Sequence, residues 1–238
     1  MTRRRWIADE VSGDRAILSG AHADHLVRVL RARIGQEFDI VANGIVRSGV
    51  ISSIRENGVE FALGNEITSQ ASTVDLNLLL AIFKFDRMEW AIEKATELGA
   101  ARITPLIARR TDAHLAAAAG KRVERWRRIA VQASEQSRRN AVPEIDAPAK
   151  LRDAVAASGA LKIVLSEIEQ AVSINEVLSS RYDSGNVALA IGPEGGWAQD
   201  ELDLFQNNGW ISVSLGPTIL RAETAAIAAV AIAMSHLV

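Results

Sequence analysis

The sequence of 238 residues contains no cysteine. This absence excludes disulfide bonds, a thiolate zinc site and a cysteine nucleophile, and it fits a reducing compartment. Long hydrophobic runs are also missing. The longest one, residues 225–234, is shorter than the roughly 20 residues that span a bilayer. No apolar run follows the basic start MTRRRWIADE, so we expect no signal peptide and a soluble, cytoplasmic protein.

The net charge is only −2, but the charged residues are distributed unevenly along the chain. Residues 1–72 hold nine arginines and nine acidic residues, residues 84–152 hold fifteen basic and nine acidic residues, and residues 153–238 hold three basic and ten acidic residues. A basic middle beside an acidic end suggests a polyanionic partner for one surface. An ordinary solvated surface explains the charge alone equally well. The hydrophobic content of 48% is typical of a globular protein with a sizeable core.

The first 72 residues are predicted to form a small β-barrel or a curled sheet. One short helix is predicted at 22–30. Asn43-Gly44 and Asn57-Gly58 separate apolar runs, and Asn-Gly favours a type I′ hairpin turn because both central residues need a positive φ. The strands are predicted at 6–8, 16–18, 37–42, 45–54 and 59–63. The polar residues 64–74 carry no pattern, so the domain boundary is placed between residues 72 and 73.

The remaining residues, 73–238, alternate between buried strands and amphipathic helices. This alternation predicts an α/β domain with a mostly parallel sheet. The strands are predicted at 75–83, 103–108, 161–165, 187–191 and 211–215. The helices are predicted at 86–98, 121–140, 149–157, 173–179, 199–207 and 221–237.

Two loops carry the strongest functional signal. IGPEGGW at 191–197 and LGPTILRAET at 215–224 each follow a predicted strand, and ligands of open α/β sheets bind beyond the carboxyl ends of strands. Their glycines allow a ligand to approach the backbone closely, and we expect this at Gly195. A single Gly-Pro pair is usually only a turn, but two in successive loops could hold one planar ligand between them. Neither loop is a dinucleotide fingerprint or a P-loop.

Other residue groups carry weaker signals. His22 and His25 share a helix face near Asp24, but with four histidines and no cysteine in the chain we predict no metal site. No sequence context singles out a serine nucleophile. Three acidic residues of the predicted helix 86–98 repeat at i,i+4 spacing, and like charges at this spacing destabilise a helix. We interpret them as a structural network whose negative charge is balanced by Lys94, Arg87 or a neighbouring element. The three acidic residues are Glu89, Glu93 and Glu97.

A basic segment, residues 102–139, contains ten lysines and arginines and three acidic residues. Arg125 and Arg128 repeat on one face of its predicted helix. A solvated face is possible, but this density fits phosphate contacts better, since each neutralised phosphate releases counterions. Arg28 and Arg31 could extend the surface into the first domain.

The whole chain resembles the RsmE family, the SPOUT-class methyltransferases that modify uridine N3 in 16S ribosomal RNA. Four motifs carry this resemblance. They are Arg87-Met88-Glu89 leading to KATELG at 94–99, EQS at 135–137 with Arg139-Asn140, IGPEGGW at 191–197 and LGPTILRAET at 215–224. The last two are shared in weaker form with other SPOUT enzymes, and their combination with the first two is specific to this family.

The resemblance implies a C-terminal SPOUT α/β trefoil-knot domain at 73–238 and an N-terminal PUA-like, RNA-binding β-barrel domain at 1–72. It implies the cofactor S-adenosylmethionine, no metal, a 16S ribosomal RNA or small-subunit partner, and a homodimer with residues 221–237 at the interface. The implied cofactor-binding residues are Leu165, Ser166, Ile191, Gly192, Pro193, Glu194, Gly195, Gly196, Leu215, Gly216, Ile219, Leu220, Thr224 and Ala225.

Uridine N3 carries a proton at neutral pH, so a methyltransferase acting there needs a cation to stabilise the anion and a base to accept the proton. Arg221 and Arg139 are the candidate cations, and Glu223 and Glu194 the candidate bases. The RNA-binding candidates are Arg28, Arg31, Arg125, Arg128, Arg138 and Arg139. The chain departs from the family at two places: Ala198 replaces a Ser or Thr helix cap, and Arg138 replaces a common Gly.

Three alternatives compete with this interpretation. A SPOUT ribose 2′-O-methyltransferase has similar loops, but the KATELG and EQ-x-x-RN motifs and the β-rich first domain argue against it. A non-catalytic RNA-binding or assembly protein would not need intact cofactor loops. A nucleotide hydrolase would need a phosphate loop or a carboxylate metal cluster.

Overall fold

The computed structural model describes residues 5–67, 75–156, 161–183 and 185–237. Its contacts divide the chain into two compact units. One unit comprises Met1–Ala71 and Ser134–Ala141, and the other comprises Ser72–Ala133 and Val142–Val238. The predicted boundary between residues 72 and 73 lies outside the described residues. The end of the basic segment, 134–141, thus belongs to the same unit as the N-terminal sheet.

The first unit contains a six-stranded sheet with the strand order β1-β4-β5-β6-β3-β2. Its pairs are antiparallel except β1 with β4. The strands are β1 (Arg5–Ile7), β2 (Glu10–Ser12), β3 (Arg15–Ser19), β4 (Glu37–Ala42), β5 (Ile45–Arg55) and β6 (Gly58–Glu66). The predicted helix begins as α1 (Gly20–Asp24) and continues as a wider π-helical turn, His25–Val29. Alternating side chains such as Ala16 and Leu18 point into the core of this unit.

The two Asn-Gly pairs behave differently. Asn43 and Gly44 have φ values of 53° and 80°, as the predicted type I′ turn requires. The type I′ turn predicted at Asn57-Gly58 is wrong, because neither residue has a positive φ and Gly58 already pairs with Arg55 as the first residue of β6. A Cβ atom on Gly58 would lie 2.7 Å from the carbonyl oxygen of Leu18. Close approach of the neighbouring strand, and not the turn, requires this glycine.

The second unit contains a seven-stranded sheet with the order β10-β8-β7-β12-β11-β13, and β9 pairs with β8. Every pair is parallel, which confirms the predicted α/β class. The strands are β7 (Leu76–Ala81), β8 (Arg102–Ile107), β9 (Glu144–Ile145), β10 (Ala149–Lys150), β11 (Leu161–Leu165), β12 (Val187–Ile191) and β13 (Ile211–Val213). All five residues of β12 are buried, as expected for a strand covered on both faces.

Helices cover both faces of this sheet. They are α2 (Phe85–Leu98), α3 (Ala113–Ala119), α4 (Val123–Gln136), α5 (Leu151–Ala154), α6 (Ile174–Arg181), α7 (Gln199–Asn207) and α8 (Ala222–Leu237). A 3-10 turn at Gly120–Arg122 joins α3 to α4. On one face of β7, Leu78 packs in the cluster that contains residues of α2 and α8, and on the other face Leu79 packs in the cluster that contains Phe205 of α7. None of the helices in the described ranges is long and apolar enough to cross a membrane.

Two predicted helices have different bounds in the structure. The basic helix predicted to reach residue 140 ends at Gln136, because the backbone turns at Arg138, whose φ is 60°. The helix predicted at 149–157 is shortened because residues 149–150 form β10 on the edge of the sheet. Gly99 ends α2 with a φ of 117°, and a Cβ there would lie 2.7 Å from Met234 Cε of α8. Gly99, at the C-terminal end of α2, therefore also lets α2 and α8 pack closely.

Candidate active site

A cleft of about 960 Å³ lies at the carboxyl ends of β11, β12 and β13. Every cofactor-binding residue predicted above lines it except Thr224, which is exposed on α8. The sequence pattern missed other lining residues, among them Arg87, Glu167, Glu169, Ser173 and Ser214. Three chain segments thus surround the cleft, which we call the 166–173 loop, the 191–197 loop and the 214–221 loop. Their role in binding a cofactor stays a prediction.

The 191–197 loop is anchored to β11 through Trp197. The buried indole Nε1–H of Trp197 donates to the carbonyl oxygen of Leu165 at 2.9 Å. The same ring packs against Gly192, where a Cβ would lie 3.2 Å from the indole, and edge-on against Phe205 with ring centroids 4.9 Å apart. Trp197 therefore fixes the 191–197 loop to the end of β11.

The glycines of this loop have different surroundings. Gly196 has a φ of 70°, and a Cβ there would overlap the carboxylate of Glu167. A Cβ on Gly195 would make only ordinary contacts of 3.5 Å with the side chain of Arg110, whose Nη1 donates to the Gly195 carbonyl oxygen at 2.7 Å. A tight contact within the protein thus exists at Gly196, with Glu167 as its partner, and the expected approach of a ligand to Gly195 stays a prediction.

Helix α7, which follows the 191–197 loop, begins without a polar N-cap side chain at Ala198. Glu201 compensates by reaching back, so that its Oε2 accepts from the Ala198 N–H at 2.9 Å. Its other oxygen accepts from the Arg109 N–H at 2.8 Å. The buried carboxylate thus supplies the half of a capping box that binds the N–H of the N-cap residue, and it joins the loop after β8 to the start of α7.

The 214–221 loop turns at Gly216, which has a φ of 128°. Its N–H donates to Ser214 Oγ at 3.1 Å, and the same hydroxyl donates to the Gly216 carbonyl oxygen at 3.1 Å. A Cβ on Gly216 would meet no atom within 4 Å, so the backbone at this point faces open space. Ile219 on the same loop is 87% exposed. This loop thus offers backbone and apolar surface to a ligand.

The 166–173 loop is ordered by Glu169. One oxygen of this carboxylate accepts from the N–H of Ala171 at 2.8 Å and of Val172 at 3.2 Å. These backbone hydrogen bonds, the one from Ala171 above all, lower the pKa of Glu169. The carboxylate of Glu169 therefore stabilises the conformation of the 166–173 loop on this side of the cleft.

Arg87 is the cation that contacts the predicted catalytic glutamates. Its Nη1 lies 2.9 Å from Glu194 Oε1, and its Nε lies 3.7 Å from Glu223 Oε1. From the sequence, we expect Arg87 to balance the glutamates of α2, and no sequence pattern indicates its contacts with Glu194 and Glu223. In the structure those glutamates have other partners: Arg125 contacts Glu89 at 2.6 and 2.7 Å, and Lys94 contacts both Glu93 and Glu97 at 2.7 Å.

The two candidate cations lie in different units. Arg221 lines the cleft and is exposed, and it forms no ion pair with any residue that the structure describes. Arg139 belongs to the first unit and does not line the cleft. Burial lowers the pKa of Arg139. A catalytic role for either residue stays a prediction.

The predicted RNA-binding arginines are exposed except Arg139, but they differ in their partners. Arg125 forms a bidentate pair with Glu89, which raises the pKa of Arg125, and Arg28 pairs with Asp24 at 3.2 Å. Arg128 has no ion pair with a described residue. Arg31 and Arg138 both have a positive φ, 52° and 60°.

His22 lies between two carboxylates in the first unit. Its ring nitrogens lie 3.8 Å from Asp9 Oδ1 and 3.9 Å from Glu135 Oε2, and the Ile7 N–H donates to Glu135 Oε1 at 3.3 Å. Burial raises the pKa of Glu135, opposed by His22 and by the Ile7 hydrogen bond. Across the described ranges, no group of three or more His, Cys, Asp or Glu side chains could hold a metal ion.

Comparisons with known proteins point to one group. Residues 70–234 match a family model described as an RNA methyltransferase domain. A ribosomal RNA small subunit methyltransferase E from Rickettsia conorii is 31% identical over 218 residues, which cover 90% of this chain and 87% of the relative.

Two solved structures share the fold over nearly the whole chain. A ribosomal RNA small subunit methyltransferase E from Neisseria gonorrhoeae, bound to S-adenosyl methionine, has a TM-score of 0.85 and 30% identity, and the match covers 96% of this chain and 95% of that one. A methyltransferase structure from Legionella pneumophila, in complex with the cofactor SAM, has a TM-score of 0.85 and 30% identity, with 99% and 98% covered.

Proposed function

Since the chain belongs to the RNA methyltransferase domain family, and within it to the ribosomal RNA small subunit methyltransferases E, we propose that it transfers a methyl group from S-adenosylmethionine to N3 of a uridine in 16S ribosomal RNA. One observation carries this proposal. Both Gly-Pro loops of the sequence line a single cleft at the carboxyl edge of the parallel sheet, and this edge is where open α/β sheets bind ligands.

The residues of the cleft suit S-adenosylmethionine. The volume of about 960 Å³ lies within the range of about 300–1,000 Å³ that is usual for small-molecule sites. Leu165, Ile191 and Leu220 supply apolar surface for a base, and the Gly216 backbone faces open space. Ser166 and the carboxylate of Glu167 supply polar groups for the hydroxyl and ammonium groups of the cofactor.

When bound, the cofactor supplies an electrophilic methyl group on a positively charged sulfur. The protein has to hold the target base in line with that methyl group and to make its nitrogen nucleophilic. We propose that the positive charge of Arg221, which is exposed at the edge of the cleft, stabilises the uridine anion.

Of the two candidate bases, Glu194 is the more accessible. Its side chain is 40% exposed and lines the cleft, whereas that of Glu223 is 6% exposed. We therefore propose that Glu194 accepts the N3 proton and that Glu223 has a structural role. The Arg221→Lys variant keeps the charge but loses the planar fork, so it should slow single-turnover methylation while binding RNA nearly normally.

We also propose how the protein binds RNA and how it dimerises, together with its knotted topology and its location. The exposed arginines Arg28, Arg31, Arg128 and Arg138 contact phosphates, and the sheet of the first unit acts as a PUA-like RNA-binding module. Helix α8, whose residues Ile227 and Ile232 are half-buried, forms a homodimer interface. The second unit has a trefoil knot, and the enzyme works in the cytoplasm, where ribosomal RNA is its substrate.

Mass mapping of methylated nucleosides tests the proposal. Small-subunit RNA from a strain that lacks this protein should lose one N3-methyluridine, and the methyl group should return when the gene is restored. A lost ribose methyl group would instead support the 2′-O-methyltransferase alternative. No change in any nucleoside would support a non-catalytic RNA-binding role.

A further inference from the structure

The guanidinium group of Arg87 lies between two carboxylates, one that lines the cleft and one that is buried at the start of α8. Glu194 sits in the 191–197 loop, with its Oε1 2.9 Å from Arg87 Nη1. Glu223 sits in the first turn of α8, directly after the 214–221 loop, with its Oε1 3.7 Å from Arg87 Nε. One side chain thus connects the 191–197 loop with the start of α8, although residues 198–213, which include helix α7 and strand β13, separate the two Gly-Pro loops in sequence.

Glu223 depends on this arrangement more than Glu194 does. Its side chain is 6% exposed, and its Oε2 is buried without a hydrogen-bond partner in the described chain. A buried carboxylate is costly unless an opposite charge compensates it. Arg87 is the cation that the structure places beside Glu223, so removal of Arg87 would leave a buried acidic group uncompensated.

The backbone that carries Arg87 is held in place by the core of the second unit. Arg87 lies in the first turn of α2, which follows the central strand β7 after a short connection. Its neighbour Met88 is fully buried, and α2 packs along α8 in the core of this unit. The guanidinium group therefore projects from a fixed point towards both loops.

We propose that Arg87 is a positioning residue for the cofactor site, which holds the 191–197 loop and the start of α8 in the arrangement that binds S-adenosylmethionine. This inference rests on the proposed function. In this role Arg87, which itself lines the cleft, acts through Glu194 and Glu223 and not on the reacting atoms. Its planar fork contacts two carboxylates from different directions, which the compact ammonium group of lysine cannot reproduce fully.

Cofactor binding to the purified chain, measured by calorimetry, tests this role. Arg87→Ala should weaken S-adenosylmethionine binding by about ten-fold or more, as expected when one partner of a partly buried charge pair is removed. Arg87→Lys should recover part of that loss. In steady-state methylation the KM for the cofactor should rise, and kcat should fall as well because Glu194, the proposed base, loses the partner that holds it.

Arg102 provides a matched control. It also bridges two carboxylates, with Nη2 2.5 Å from Glu144 and Nε 3.5 Å from Asp146, but it does not line the cleft. Arg102→Ala should leave the cofactor Kd unchanged. If Arg87→Ala does not fold, the comparison of Arg87→Lys with Arg102→Lys replaces it, with a raised Kd expected for the first alone.

A mutant cycle separates positioning from a general loss of stability. In a background that carries both Glu194→Gln and Glu223→Gln, the effect of Arg87→Ala on the cofactor Kd should shrink, because both contacts that it removes are already weakened. An undiminished effect, or a folded Arg87→Ala protein that binds within two-fold of the wild type, would overturn the inference. Failure of the wild type to bind S-adenosylmethionine would instead refute the proposed function.

Discussion

The Trp197 indole donates a hydrogen bond of 2.9 Å to the carbonyl oxygen of Leu165, which joins two walls of the cleft across 32 residues of sequence. Trp210 makes a bond of the same length to the Val155 carbonyl oxygen, away from the cleft. Both rings pack edge-on against Phe205, at 4.9 and 5.0 Å. The two tryptophans therefore form a matched pair, and only Trp197 donates to a residue that lines the cleft.

Replacement of each tryptophan by phenylalanine should separate stability from binding. Each variant should lose about 1–3 kcal/mol of unfolding free energy, because a buried backbone carbonyl loses its donor. Only Trp197→Phe should also weaken S-adenosylmethionine binding, since it releases the 191–197 loop from the end of β11. Urea titration and calorimetry measure the two effects. Equal cofactor affinity in both variants would contradict this role of Trp197.

Gly196 and Gly209 form a second matched pair. Their φ values are 70° and 78°, but a Cβ would overlap the Glu167 carboxylate at Gly196 and meet nothing within 4 Å at Gly209. Gly209→Ala should cost about 1 kcal/mol of unfolding free energy from backbone strain alone. Gly196→Ala should cost more and should weaken cofactor binding, because Glu167 has to move.

A Glu167→Ala change in the Gly196→Ala background should recover part of the lost stability, since it removes the overlapping carboxylate. Chemical unfolding of the three variants checks this. A Gly196→Ala protein as stable as Gly209→Ala would show that Glu167 moves away without cost and that the contact is unimportant.

Several features of this fold follow from local sequence patterns. The predicted bounds of β11, β12 and α7 agree with the structure, because each has a strong apolar pattern and clear turn residues at its ends. The Asn43-Gly44 turn also depends only on its own two residues. The cleft loops were found because Gly-Pro pairs after buried strands are local signals as well.

Long-range pairings explain the features that sequence analysis missed. Arg87 and Glu194 are 107 residues apart, and no local pattern indicates that they meet. The end of α4 at Gln136 depends on residues 134–141 packing with the first unit. Helix α7 begins without a side-chain cap at Ala198, but Glu201 binds the Ala198 N–H and also the Arg109 N–H from another loop. Such contacts depend on tertiary structure, which periodicity does not encode.

Arg128 and Arg125 test the RNA-binding surface. Arg125 is held by Glu89 in a bidentate pair, whereas Arg128 is exposed and unpaired among the described residues. Arg128→Ala should weaken RNA binding and reduce the salt slope by about 1, as for the loss of one phosphate contact. Arg125→Ala should change the slope less. Filter binding from low to high salt measures both, and an unchanged slope for Arg128→Ala would identify a merely solvated face.

Arg138 adopts a backbone conformation that favours glycine, with a φ of 60°. Arg138→Gly should therefore keep the unfolding free energy or raise it by up to about 1 kcal/mol, because relief of strain outweighs the entropy of the more flexible unfolded chain. The same change at the helical Arg128 should lower it by about 1 kcal/mol. Thermal unfolding compares the two variants, and a clear loss of stability in Arg138→Gly would contradict the strain argument.

The partly buried carboxyl group of Glu135 should make the free energy of unfolding depend on pH. Burial raises the pKa of this carboxyl above its ordinary value of 4.5, so the folded state binds its proton more tightly than the unfolded state does. Its ionisation thus lowers the unfolding free energy as the pH rises from 4.5 through the raised value. Glu135→Gln, which cannot ionise, should be more stable than the wild type at pH 7, and the difference should shrink below pH 4.5.

Urea titrations at pH 7 and pH 4 measure this difference. Glu60→Gln is the control, because Glu60 pairs with Arg15 at 2.5 Å in the same unit and loss of that pair should lower stability at pH 7. A Glu135→Gln protein that is less stable than the wild type at pH 7 would show that the contact with His22 outweighs the cost of burial.

The most direct test of the whole account is in vitro methylation of small-subunit RNA by the purified chain. The reaction uses S-adenosylmethionine with a labelled methyl group, and the RNA is digested to nucleosides that are identified by mass spectrometry. We predict that the label appears in N3-methyluridine, and that Arg221→Lys forms the same product more slowly at saturating cofactor. Label on a ribose oxygen or on another base would contradict the proposed function.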